Sequence, residues 1–171
     1  MKKTLSNKFL HIEQMNRMLK KPGLLLVSRG KDGKPNVMTI GWALIGILWE
    51  RPVLMVAVRP SRHTHHLIEY SGDFTVNVPS DGMDDICEFC GEVSGKDRDK
   101  LREKGLTVKS SRKIRSPIIE QCVLHYECRT LYKSKVNFRQ LPPRILGNFY
   151  PKGDYHTLYF GEVLAVYGKE Q

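Results

Sequence analysis

The stretch Arg59–Pro79, RPSRHTHHLIEYSGDFTVNVP, decides how this chain is read. An apolar strand, Val53 to Val58, runs directly into Arg59-Pro60-Ser61-Arg62-His63-Thr64. A short amphipathic helix follows, then Ser71-Gly72-Asp73-Phe74 and a second strand, Thr75 to Val78. Two hydroxyls (Ser61, Thr64) and two guanidiniums (Arg59, Arg62) therefore gather where a helix starts. A helix N-terminus offers unpaired N–H groups and a partial positive charge, which suits a phosphate. Ser61 could instead act as a simple N-cap. Capping accounts for one hydroxyl and leaves Arg62 and Thr64 beside it unexplained, so the anion site is the favoured reading.

Outward from this point the chain reads mainly as strands. Leu24 to Arg29 and Asn36 to Gly41 flank the turn Gly30-Lys31-Asp32-Gly33-Lys34-Pro35 and form a hairpin. Trp42 to Trp49 is a third extended run, ended by Glu50-Arg51-Pro52, and Val53 to Val58 is apolar enough to be buried on both faces. Helices are expected near Met83 to Cys90 and from Asp97 to Lys104, the second stopped by Gly105. From Gln121 to Tyr132, Cys122, Leu124, Tyr126 and Cys128 share one face and His125, Glu127 and Arg129 the other. Lys133 to Tyr155 reads as a long surface excursion. Its Asn137–Asp154 part, with Pro142, Pro143, Gly147, Pro151 and Gly153, is not expected to form regular structure. Its aromatic load (Phe138, Phe149, Tyr150, then Tyr155) predicts that it packs against something. Thr157 to Tyr167 is the last long strand. Many strands, few helices and no βαβ rhythm predict a closed or nearly closed antiparallel barrel with short flanking helices. No repeat or linker divides residues 1–171, so a single domain is expected.

Composition narrows the function. The net charge is +10, and Lys96 to Arg115 carries nine basic residues. No RNA-binding strand signature, Gly-X-X-Gly clamp or zinc-finger spacing accompanies that charge. A basic face that attracts anionic cofactors is preferred to a nucleic-acid-binding barrel. The residues behind Met1-Lys2-Lys3 are not an apolar leader segment, so no signal peptide is expected. The longest apolar runs, such as Ala43 to Leu48, are too short to span a membrane. Four cysteines do not make a disulfide scaffold; reduced thiols and a cytoplasmic location fit better. His63, His65 and His66, and the pair Cys87/Cys90, invite a metal reading. No acidic or cysteine partner accompanies the histidines and no second Cys-X-X-Cys completes a zinc site, so no metal is expected.

The ordered segments Asn36-Val37-Met38-Thr39-Ile40-Gly41-Trp42, Arg59-Pro60-Ser61-Arg62-His63-Thr64 and Ser71-Gly72-Asp73-Phe74-Thr75-Val76-Asn77-Val78 resemble the flavin reductase-like family. So do Cys90-Gly91, Ser94-Gly95-Lys96-Asp97, Gly105-Leu106-Thr107, Pro117 and His156 to Val163, in the same order. Trp42 and Ser94-Gly95-Lys96 look most like its flavoredoxin-type branch. Each motif is weak alone; their order makes them specific. The resemblance implies an FMN-binding split β-barrel, a homodimer with the flavin in a groove near the subunit interface. It implies an oxidoreductase passing electrons from NADH or NADPH to a flavin or another acceptor, or else a non-enzymatic FMN carrier that exchanges electrons with a redox protein partner.

Residue by residue, the resemblance lays Asn36, Val37, Met38, Thr39, Ile40 and Trp42 along the flavin ring. It sets Ser61, Arg62 and Thr64 around the phosphate, with Lys96 approaching from its Ser-Gly-Lys segment. Read without it, Lys96 is a solvated lysine that opens a helix. Arg59, Asn77, Ser94 and Gly95 complete the cofactor-contacting set. His156 falls near the ring, where a nicotinamide would stack. Because the flavin carries the hydride chemistry, His156 is the one catalytic assignment, in a positioning role. The excursion before His156 is longer than the turn usual in reductases, and it is expected to close over the flavin groove and restrict access to the ring.

Overall fold

The computed structural model describes residues 7–9 and 11–168. The leader reading of Met1 to Ser6 lies outside the described residues. Among the described residues nine strands form in chain order: β1 (Leu24–Arg29), β2 (Pro35–Ile40), β3 (Ala43–Leu48), β4 (Arg51–Val58), β5 (Asp73–Val78), β6 (Val108–Lys109), β7 (Ile118–Ile119), β8 (Leu124–Lys135) and β9 (Thr157–Gly168). Seven of them make one antiparallel sheet in the order β2-β1-β5-β8-β9-β4-β3, and β6 pairs with β7. The sheet curls until β2 and β4 approach one another, while β2 and β3 remain its open edges. This is a split barrel.

The interior is filled by alternate residues of the strands, among them Leu24, Leu26, Leu54, Val56, Phe74, Val76, Tyr126 and Tyr159. One end is plugged by helix α1 (Ile12–Lys20), which buries Met15 and Met18 in that core. The sequence reading passed over this helix. A second, smaller cluster lies on the outer face of β1 and β2. There Leu25, Val27 and Val37 meet Cys87 and Cys90 of helix α3 (Asp84–Glu92). All four cysteines are free, buried thiols, and burial pushes Cys87 up to about 12.

Two helical expectations need correction, and β8 is buried on both faces from Leu124 to Cys128. Its polar face is covered by the 111–119 segment: buried Glu127 accepts from the backbone N–H groups of Arg112 and Lys113, both at 2.7 Å. These two donors, with the Tyr167 hydroxyl as a third, let a carboxylate sit inside. Next, the helix expected from Asp97 is shorter. Helix α4 spans Lys100–Glu103, because Asp99 caps it by accepting from Arg102 N–H. The excursion also contains regular structure: a 3₁₀ turn at Phe138–Gln140 and helix α5 (Pro143–Phe149). Prolines that look like breakers start that helix, since a proline in the first turn loses no intrahelical bond.

Helix α2 (His63–Ser71) links β4 to β5 and ends at Gly72, whose φ of 68° closes it with a bond to the Ile68 carbonyl. The β3–β4 connection is a two-residue turn, Trp49-Glu50, with φ of 51° and 57°. Positive φ at both positions matches the right-handed twist of a hairpin. It also starts β4 at Arg51, earlier than the Pro52 boundary in the sequence reading. Among the described residues no helix is long and apolar enough to cross a membrane.

Gly161 of β9 sits at a tight point of the barrel. A Cβ there would stand 2.7 Å from the Phe74 ring and 2.8 Å from Cys128 Cβ, whereas one at Gly46 on β3 would meet nothing within 4 Å. Gly161→Ala should therefore destabilise the fold by about 1–3 kcal/mol in urea unfolding, the usual cost of overpacking. Gly46→Ala should leave the midpoint nearly unchanged.

Candidate functional site

The loop that joins β4 to α2 is a tight turn, with Arg62 N–H bonded to the Arg59 carbonyl and His65 N–H to the Arg62 carbonyl. It faces the 92–95 segment across a cavity of about 160 Å³. The wall holds Asn36, Met38, Ser61 to Thr64, Glu92 to Gly95 and Lys100. Asn36 and Thr64 are buried and joined by a 2.8 Å bond from Asn36 Nδ2 to Thr64 Oγ1. Gly95 leans directly on Asn36: a Cβ there would fall 2.0 Å from Asn36 Oδ1, so no other residue fits without moving the wall.

Two cations define the electrostatics. Lys100 is 2 % exposed and its Nζ donates to the Cys90 carbonyl at 3.0 Å. Arg62 reaches toward the same carbonyl, at 3.5 Å. Desolvation lowers both pKa values, Lys100 to about 8, and the neighbouring guanidinium adds to the lysine's shift. Among the described residues neither is paired with a carboxylate; Glu92 is the single acid in the wall. Nδ1 of His63, also in the wall, is buried without a hydrogen-bond partner among the described residues. Burial and then the Lys96 charge lower the pKa of that ring. Held together without a counter-ion, Arg62 and Lys100 form a cradle for an anion.

A second feature adjoins the first through Ser61. Trp42 stands 4.5 Å from the His156 ring, and Phe149 and Tyr150 pack edge-on against Trp42. The excursion carries these two aromatics and is fastened at several points. Arg59 donates to the carbonyls of Phe149 (2.7 Å) and Asp154 (3.0 Å), and its guanidinium lies 5.0 Å over the Tyr150 ring. The Asp154 carboxylate accepts from both Ser61 N–H (3.2 Å) and Ser61 Oγ (2.5 Å). His156 is buried and Nδ1 lies 2.8 Å from the Tyr150 hydroxyl. Burial, then the Arg59 charge, pushes the imidazole down to about 4, so it is neutral near pH 7.

Of the residues singled out from sequence, Asn36, Met38, Ser61, Arg62, Thr64, Ser94 and Gly95 meet at the cavity. Trp42 and His156 meet at the aromatic wall. Arg59 is committed to the excursion and lies outside the cavity wall. Val37 and Thr39 project to the opposite face of β2, where Thr39 Oγ1 bonds to the Cys87 carbonyl. Ile40 belongs to the barrel core. Asn77 is fully buried and engaged at both ends. Its Nδ2 donates to the Leu25 carbonyl and Thr75 Oγ1, and its Oδ1 accepts from Ile119 N–H and bonds His125 Nδ1. Its amide is a bracket between strands. Lys96 is exposed and outside the wall; Lys100 is the ammonium there. The signal for Lys100 was a lysine at the first position of a helix capped by Asp99, against the dipole preference for acids.

Residues 15–171 match the family described as flavin reductase like domain. A protein of uncharacterised function from Archaeoglobus fulgidus is 34% identical over 134 residues, 78% of this chain and 65% of its own length. The chain thus spans just under two thirds of that relative. Among solved structures, flavoredoxin from Methanosarcina acetivorans aligns with a TM-score of 0.68 at 31% identity, covering 88% of this chain and 69% of its own. Flavoredoxin of Desulfovibrio vulgaris aligns with a TM-score of 0.70 at 23% identity over 87% and 70%, which supports the fold.

The neutral, buried His156 has a consequence for stability. Its pKa falls from 6.5 to about 4 on folding, so the unfolded chain binds the extra proton first. The stability contributed is whole above pH 6.5 and is lost as pH falls from there toward 4. His63 and His65, shifted the same way, add to that slope. His156→Gln should flatten part of the acid limb in thermal unfolding measured between pH 7 and 4. An unchanged pH profile would contradict the burial of a neutral ring.

Proposed function

The chain belongs to the flavin reductase-like family, and from that premise we propose that it binds FMN. We propose further that it accepts a hydride from NADH or NADPH and passes the electrons to a flavin or another acceptor. The observation that carries the FMN reading is the cradle of Arg62 and Lys100, two desolvated cations without a carboxylate partner among the described residues. A cavity of about 160 Å³ suits a phosphate and the start of a polyol chain, and is too small for a three-ring flavin. The ring would lie outside it, on the side of Ser61 where Trp42 and His156 stand. When bound, FMN supplies hydride acceptance at N5 and release of the electrons onward. The chain's residues do the rest: Arg62, Lys100 and Thr64 bind the phosphate, Gly95 and Asn36 shape the wall, and Trp42 with His156 orients what stacks beyond.

Titration of the apoprotein should show tighter binding of FMN than of riboflavin. Arg62→Ala should weaken FMN roughly ten- to a hundredfold, the worth of about 1.5–3 kcal/mol for a hydrogen bond to a charged group. Riboflavin affinity should stay nearly unchanged. Equal affinity for the two flavins in the wild type would sink the phosphate site.

A second reading, a bound-FMN electron carrier, is favoured by the excursion fastened over Trp42 and His156. Anaerobic mixing with NADH and NADPH separates the two, since a carrier would not bleach. Replacing residues 138–152 with a Gly-Ser turn should loosen FMN and speed reduction of artificial acceptors. Unchanged retention and rate would make the excursion a bystander.

We also propose a homodimer. Edge strand β3 exposes Leu44 (69%) and Ile47 (57%), and Trp49 (55%) packs beside the half-exposed Tyr132. An exposed apolar edge strand is a surface that proteins cover, and a two-fold contact is the commonest way. Sedimentation should give a dimer at micromolar concentration, and Ile47→Glu should give a monomer.

A further inference from the structure

His156 has one nitrogen occupied and one free. Nδ1 is 2.8 Å from the Tyr150 hydroxyl, and Nε2 makes no hydrogen bond among the described residues. The direction of the Tyr150–His156 bond decides what Nε2 can do. The Arg59 guanidinium lies 5.0 Å over the phenol ring. A cation on the ring face withdraws electron density, so the hydroxyl becomes a better donor and a poorer acceptor. Nδ1 then accepts, and the ring carries its proton on Nε2. The ring is also clamped: Trp42 stacks against it at a tilt of 39° and Tyr150 meets it edge-on at 5.5 Å.

Resting on the flavoprotein reading above, we infer that Tyr150, brought in by the excursion, is a positioning residue that holds His156 as the Nε2–H tautomer. That N–H serves as a neutral hydrogen-bond donor to a carbonyl oxygen presented at the site. Burial and the Arg59 charge keep the ring uncharged, so it can polarise an oxygen without binding an anion of its own. Two carbonyls have this chemistry. One is the carboxamide of a nicotinamide, which loses a hydride to the flavin. The other is a conjugated ketone, which takes that hydride at its β-carbon and a proton from solvent.

The test is Tyr150→Phe, which keeps the ring packing and removes only the hydroxyl. Nitrogen NMR of histidine-labelled protein, with and without FMN, should show a pyridine-like Nδ1 and a protonated Nε2 in the wild type. The variant should drift toward the tautomer mixture of free imidazole. FMN affinity and far-ultraviolet spectrum should not move. Stopped-flow then reads reduction by NADH or NADPH, and reoxidation of the dithionite-reduced protein by 2-cyclohexenone. A roughly fivefold slowing of the first step alone identifies the carboxamide, and of the second alone the ketone. An unchanged tautomer in the variant overturns the role of Tyr150. A lost tautomer with both rates intact, or a wild type that reacts with neither carbonyl, overturns the donor role. Failure of the flavoprotein reading shows separately, as a protein that takes up no FMN while its tautomer is still measurable.

Discussion

The register of β4 against β9 holds the site together. Val58, the last residue of β4, pairs with Thr157, the first of β9. That rung places the 59–64 turn beside residues 154–156, which are almost a hundred positions away along the chain. Arg59 can then reach the Asp154 carbonyl, Ser61 its carboxylate, and Trp42 the His156 ring. A shift of one residue would turn every side chain of β4 to the other face, swinging Arg51 toward the barrel interior and Val56 out of it. The register is defended on both sides, because β4 is central, between β9 and β3, and nearly all of its residues from Val53 to Val58 are buried. Gly161, one rung in from the pairing of Val53 with Glu162, lets β9 pass over Phe74 and so keeps β9 close to β8 as well.

On this frame the chain holds an arrangement that stability alone would not favour. A lysine that is 2 % exposed, next to a half-buried guanidinium and satisfied among the described residues by one carbonyl, raises the energy of the folded state. The buried acids elsewhere are handled differently. Glu127 receives three donors, and the Asp73 carboxylate receives the N–H groups of Arg115 and Ser116 and the Ser116 hydroxyl. The fold can satisfy buried charge when it needs to. Among the described residues Arg62 and Lys100 have no carboxylate partner, and the proposed phosphate site rests on that contrast.

The legible parts of the sequence were those fixed by local pattern. The β1–β2 hairpin, the β4–α2–β5 unit and the anion turn follow from apolar runs, turn residues and a cluster of hydroxyls and guanidiniums within six positions. What stayed hidden depends on distant partners. Asn77 lies in a strand motif and looks available, yet its amide is consumed by β1, the 117–119 segment and His125. Lys96 lies four positions before the one-turn helix and Lys100 opens it, and the Asp99 cap sets that start. Pro142 and Pro143 read as breakers because a proline's effect depends on whether a helix begins there or is under way. Arg59 belongs to the anion motif in sequence but answers to carbonyls ninety residues later.

The commitment of Arg59 and Ser61 to the excursion gives the loop a position in the site that its length alone would not. Ser61 spends both its backbone N–H and its hydroxyl on the Asp154 carboxylate, at the edge of a cavity shaped for an anion. A carboxylate and a phosphate accept from the same kinds of donor, and Ser61 gives both of its donors to the carboxylate. Asp154 sits at a φ of 58°, a left-handed conformation that an aspartate tolerates better than most residues. It stands two positions from His156, whose free nitrogen faces the other way from Tyr150. The anion turn, the excursion and the imidazole are therefore one mechanical unit, fastened by Arg59. The cradle and the aromatic wall are thereby joined through the two hydrogen bonds from Ser61 to Asp154.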